Sequence, residues 1–198
     1  MANQDAPFGF KPVRMLSGPF TGAVNKYRKE ASVILGLGDP VVLTGSASAA
    51  GTNNATEDGI PLVTRASAGS GTITGVVAYV DIDSGTAQRS ESTKHMAAAD
   101  TGSVYVYDDP MTVFEIQEDS DTENMVVGDV GEGVDIVVAN ADTNTGLSNV
   151  ELNSDNAGTG DQCQVLRLAQ RPDNELGANA VWEVLINEHT YKAAGTMI

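Results

Sequence analysis

Cysteine is nearly absent: Cys163 stands alone among 198 residues, so no intrachain disulfide can staple the fold. It sits in the strand-like run CQVLRL, where it reads as a small buried hydrophobe. Basic residues are scarce too. Eleven Lys and Arg face 27 Asp and Glu, a formal charge of −16. A phosphate backbone repels such a surface, as does an anionic membrane, so neither is an expected partner. No apolar run approaches the ~18 residues of a spanning helix. The opening MANQDAPFGFKPVR has no apolar h-region, so the chain reads as one made and kept inside a cell, at least at first. No period of 20–50 residues recurs, which excludes solenoids and propellers.

Catalytic patterns are equally thin. Gly36 and Gly38 form a bare G-x-G without the third glycine or following helix of a dinucleotide loop. There is no phosphate loop and no G-x-S-x-G elbow. The two histidines, His95 and His189, read as solvated. Asp119, Asp121 and Glu123 alternate as in a calcium loop, but Asn124 and Val130 occupy the places that need Gly and Glu. Asn140, Asp142 and Asn144 before Gly146 suit an Asx-rich turn, and Asp108 and Asp109 before Pro110 another. No catalytic residue, metal or cofactor is assigned, and the protein is not expected to be an enzyme.

What is present is glycine, Val, Thr, Asn and Asp. The 21 glycines exceed the roughly 14 that average usage would give. About ten short apolar or alternating runs lie between turn signals, which predicts a mainly β chain: an antiparallel sandwich or barrel of short strands with at most one or two short helices. Val104 and Val106 share a face opposite Tyr105 and Tyr107. Trp182, Val184 and Ile186 read as core, with Glu183 on the other side. Residues 59–80 read as a hairpin-like pair. A short helix is expected within DSDTENMVVGDVG, capped by Asp121 or Thr122 and ended by Gly128. Residues 83–102 are read as a loop.

Residues 1–30 are expected to form an extended N-terminal arm on a β-rich body, 31–198, which could divide into two subdomains near 85–103. Pro7, Pro12 and Pro19 forbid a continuous helix there. The arm's apolar residues Phe8, Phe10, Val13, Leu16 and Phe20 must lie on the chain's own body or on a neighbour. Lys11, Arg14, Lys26, Arg28 and Lys29 give it a basic character, while residues 96–166 contain no Lys or Arg. These cations either face a partner or balance nearby acids. The ten residues together are the candidate partner-binding set.

Several segments resemble a known group. MANQDAPFGFKPVR, VYVYDDPMTVFEIQED, DVGEGVDIVV and LRLAQRPDNELGANAVWEVLINEH are similar to the small head proteins of many tailed bacteriophages, especially marine and freshwater ones. The likeness spans residues 2–191. It implies a capsid decoration, or cement, protein bound outside the major capsid lattice, assembled as a homotrimer, made in the bacterial cytoplasm and carried on the virion exterior. The order GDPVVL, GIPLVTR, TITGVVAYV also looks like the small barrel of lambdoid-type decoration proteins, although this chain is longer and its C-terminal half has no counterpart there. Two other readings stand beside it: a tail or neck component, and a calcium-dependent carbohydrate-binding adhesin module.

Overall fold

The structure, a computed structural model, describes residues 3–49, 58–83 and 94–192. Its strands in chain order are β1 (Lys11–Met15), β2 (Asn25–Lys29), β3 (Leu35–Gly36), β4 (Pro40–Ala47), β5 (Pro61–Arg65), β6 (Gly75–Ile82), β7 (His95–Met96), β8 (Gly102–Tyr107), β9 (Thr112–Gln117), β10 (Gly133–Val134), β11 (Ile136–Val137), β12 (Glu151–Leu152), β13 (Cys163–Leu168) and β14 (Val181–Ile186). The chain is mainly β, as its turn-punctuated apolar runs predict.

Two β assemblies share the molecule. Strands β2, β5, β4, β6 and β8 close into a barrel, and β1, β9, β14, β13 and β10 form a five-stranded antiparallel sheet in that order. One barrel seam, β2 against β5, is parallel. Two short ladders, β3 with β7 and β11 with β12, complete the pairing. The chain passes from barrel to sheet in the turn at residues 108–110, where Asp109 accepts the Met111 and Thr112 amides.

Strand alternation divides the apolar residues between two cores. Tyr27, Val41, Val63, Val77, Val104 and Val106 fill the barrel. Ala66, Ile73 and Val76 join Phe114, Ile116, Trp182 and Val184 in a second core between barrel and sheet. Val76 and Val77, adjacent in β6, thus serve opposite sides of one strand.

All six residues of β9 and of β14 are buried, because both strands are interior to the sheet and both sheet faces are covered. Trp182, Val184 and Ile186 are core as expected. Glu183, on the opposite face, is only 5% exposed; its carboxylate accepts from Arg14 at 2.9 Å and from Arg167 at 2.7 Å. Burial pushes its pKa up, but the two guanidiniums outweigh it and hold the carboxyl below its ordinary value.

Several expectations change. Residues 59–80 do not form a hairpin: β5 and β6 each pair with β4, which lies between them. The expected helix shrinks to one 3-10 turn, Val127–Asp129, where Asp129 caps its own turn and β-branched valines flank Gly128. His189 is not solvated. It is 3% exposed, and burial lowers its pKa to about 4. Residues 84–93 of the expected loop lie outside the described residues.

Candidate partner-binding surface

The N-terminal segment is built into the sheet rather than laid over it. β1 pairs with the first residues of β9, Lys11 opposite Glu115, with a register shift between Pro12 and Arg14. Ahead of β1 the chain is stitched down by side-chain amides. Asn3 donates to the Glu175 and Ala178 carbonyls and accepts from the Glu175 amide. Gln117 donates to the Gln4 carbonyl at 2.8 Å and accepts from the Ala6 amide at 3.0 Å.

The strap then crosses the loop between β3 and β4, with the Phe10 amide bonded to the Gly38 carbonyl at 3.0 Å. Two glycines make that crossing possible. Gly9 has φ +67°, and a Cβ there would sit 2.6 Å from the Gly38 oxygen. Gly38 has φ +87°, and its Cβ would sit 2.7 Å from the Phe8 oxygen.

This architecture separates the ten candidate residues. Phe10 is 2% exposed and meets Phe114 edge-on at 5.6 Å, so it is core. Arg28 and Lys29 are buried in the barrel wall. Arg28 pairs with Asp83, and the Lys29 ammonium donates to the Glu30 and Ala98 carbonyls. Arg14 is consumed by Glu183. Phe10, Arg28 and Lys29 are thus buried within the fold, Arg14 is part-exposed, and the three cations face acids or carbonyls of the same chain. Lys26 is half-buried in β2 opposite Tyr105.

Phe8, Lys11, Val13, Leu16 and Phe20 remain at or near the surface. Leu16 is 38% exposed beside the tight Met15–Gly18 bridge, and Phe20 stands edge-on to Tyr107 at 5.1 Å. Phe8, Lys11 and Pro12 form one wall of a groove of about 410 Å³, closed by Leu37, Leu147 and Tyr107, with Arg171 at its rim. The Lys11 ammonium lies 3.9 Å from Glu115 and, beside Arg171, also helps hold the Asp173 carboxyl below its ordinary value. Arg171 reaches Glu115 at 3.5 Å and Asp173 at 2.9 Å.

A second surface feature was read from the sequence as helix. Val126, Val127 and Val130 are 53%, 68% and 41% exposed at the tip of the loop between β9 and β10. The run MVVGDVG, apolar yet set among acids, carries that signal once the helix is set aside. The tip is rigid. Met125 is buried, and its amide donates at 2.7 Å to Glu118, a fully buried carboxylate. Burial raises the Glu118 pKa. Asp129 accepts the Val126 amide at 2.7 Å. Downstream, the Gly131 amide donates to the Val165 carbonyl of β13.

Carboxylate groups do not assemble into a metal centre among the described residues. Asp142 accepts the Asn144 amide at 2.7 Å, so the Asn140–Asp142–Asn144 run is a turn. One buried acid had no sequence signal: Asp39 is fully buried, accepts the Gly36 amide at 2.8 Å, and is pushed up to about 6 by burial. No helix among the described residues is long and apolar enough to cross a membrane. Comparison with protein-family models, with curated proteins and with solved structures finds no match for this chain.

Proposed function

We propose that this chain is a virion structural protein, a decoration or cement subunit that binds outside the major capsid lattice of a tailed-phage head and braces it. The textual likeness over residues 2–191 motivates the reading. One structural observation carries it furthest. The three segments that look like a lambdoid-type decoration barrel, GDPVVL, GIPLVTR and TITGVVAYV, supply β4, β5 and β6, which lie in one closed barrel with β4 between the other two.

In this reading the barrel-and-sheet body is a rigid block, and the exposed part of the strap region touches the shell. A stable seat needs about 1,000 Å² of buried surface or more, with a few apolar anchors dominating. Phe8, Leu16 and Phe20 are the anchors the structure leaves accessible, with Lys11 as the accompanying cation.

The test adds purified protein to heads that lack it and measures co-sedimentation and resistance of the heads to heat. Shell-wide saturation and later heat release are the expected results, and Leu16→Asp should weaken binding by roughly tenfold or more. A stoichiometry of one ring per particle would replace this reading with the tail or neck alternative. Absence of binding would end it.

A further inference from the structure

We propose that the strap ahead of β1 is a proton-dependent latch: residues 3–9 stay down while two acids beneath them are uncharged, and lift, hinged at Phe10, when those acids ionise. Two places under the strap, remote from each other in sequence, support this.

The first is the crossing. Gly9 rests on Ser148 and Gly38, and a Cβ there would collide with the Ser148 side chain and sit 2.6 Å from the Gly38 oxygen. Asp39 follows Gly38 directly and is fully buried. Its Oδ2 accepts the Gly36 amide at 2.8 Å, while its Oδ1 has no hydrogen-bond partner among the described residues. The side groups that face it are Ser148, from the loop before β12, and the Arg65 guanidinium of β5. Arg65 is itself engaged by the Ala139 carbonyl and the Asn140 side chain. A charge on Asp39 is therefore poorly solvated, and burial pushes its pKa up to about 6 against the pull of the Gly36 amide, Ser148 and Arg65.

The second place lies at Asp5. Gln117 of β9 clamps the strap on both sides of that residue, donating to the Gln4 carbonyl and accepting from the Ala6 amide. Asp5 is thereby held within electrostatic reach of Glu151 in β12. So is Asp119, which cannot turn away because it accepts the Ser154 amide at 3.0 Å and the Ser154 hydroxyl at 2.7 Å. The strand paired with β12, β11, adds only Ile136 and Val137. The charged groups facing Glu151 are thus both acids. Burial, with Asp5 and Asp119 behind it, pushes Glu151 up to about 7.

Lifting the strap takes Asp5 away from Glu151 and opens the cover beside Asp39. Both pKa values then fall toward the ordinary 3.8 and 4.5. The docked pKa values are the higher ones, so the docked strap binds the extra protons. Docking is strongest below about pH 4 and is lost as pH rises through 6 and 7, by up to about tenfold per pH unit for each proton released. The lifted strap frees Phe8, one wall of the groove shared with Leu37 and Tyr107. Acidity thus sets how much apolar surface the chain presents there, whatever the chain binds.

The experiment follows amide hydrogen exchange of the full chain from pH 5 to 8, corrected for the intrinsic rate of each amide. Two amides report the strap: Ala6, bonded to Gln117, and Glu175, bonded to Asn3 at 2.9 Å. Their protection should fall by roughly tenfold or more across that range, while amides of β6 and β8 keep theirs. Asp39→Asn and Glu151→Gln should each reduce the slope, and the double variant should flatten it. Asp39 and Glu151 lie inward, so Asp5→Asn, on the exposed strap, gives an arm that leaves the packing intact; it too should reduce the slope. Flat protection in wild type would overturn the proposal. So would a wild-type slope in Asp5→Asn or in the double variant, or a parallel loss in β6 and β8, which would make the effect one of global unfolding.

Discussion

At the scale of single residues, the molecule is held by a few side chains whose surroundings leave no substitute. Trp182 is fully buried in the core between barrel and sheet, and Trp182→Ala should cost about 3–5 kcal/mol, read from the denaturant midpoint. A near-normal midpoint would mean that the cavity closes or that the core lies elsewhere. Asp39 makes a prediction in pH. Its folded pKa, about 6, lies above the usual 3.8 because burial disfavours the charge. The protonated form is therefore the favoured one in the fold. Its contribution is fully present below pH 4 and lost as pH rises through 6, on the order of 3 kcal/mol in all. Asp39→Asn should lack this loss, so the variant gains on wild type between pH 4 and 7 in parallel thermal melts. A constant difference across that window would show that Asp39 does not titrate there.

At the scale of elements, β1 is the instructive case. It is an edge strand, yet Arg14 ties it to Glu183, two strands away, and Phe10 just ahead of it fills the core beneath β9. Arg14→Ala and Arg167→Ala each leave Glu183 one guanidinium. The double variant strands a nearly buried carboxylate and should cost more than the sum of the two, about 3–5 kcal/mol in total by a double-mutant cycle. Removing residues 1–20, which a loose arm would tolerate, should instead destabilise the whole body. A truncated protein that melts at the wild-type temperature would restore the arm. The local patterns were legible where they depend on neighbours in sequence: the alternation of Val104 and Val106, the face of Trp182, Val184 and Ile186, the turn at 108–110. They were not legible where the deciding partner is remote. Nothing near Lys11 announces Glu115, and nothing near Arg14 announces Glu183. β5 and β6 look like a hairpin until β4, from earlier in the chain, takes the place between them. The same remoteness hid which of the ten basic and apolar candidates are spent inside the fold.

At the scale of the whole molecule, a net charge of −16 is spread over a body in which some inward acids meet cations while Asp39 and Glu118 rest on backbone amides. Glu183, Glu115 and Asp83 each have cationic partners. The remaining negative charge is a surface property, and it sets the conditions under which copies approach each other. Like-charged subunits repel over about 10 Å at 0.1 M salt. Any association of copies through apolar surface should therefore strengthen, not weaken, from low to moderate salt, as sedimentation velocity would measure. A monotonic fall in sedimentation-derived affinity from the lowest salt would show that opposite charges, rather than apolar surface, do the holding.

The crossing of the strap over distant partners also has a temporal side. Asn3 meets Glu175, 172 residues later, and Arg14 meets Glu183. A ribosome adding roughly 5–20 residues per second needs about ten to thirty seconds to span that gap. All five barrel strands emerge before residue 108 and β9, the partner of β1 and of Phe10, follows within ten residues, whereas the Asn3 and Arg14 side chains wait for Glu175 and Glu183. Newly made chains therefore pass through a stage in which the barrel strands and β9 are out but the leading end still lacks its ties to the last third of the chain, the stage at which crowding by sister chains or help from a chaperone bears on the yield.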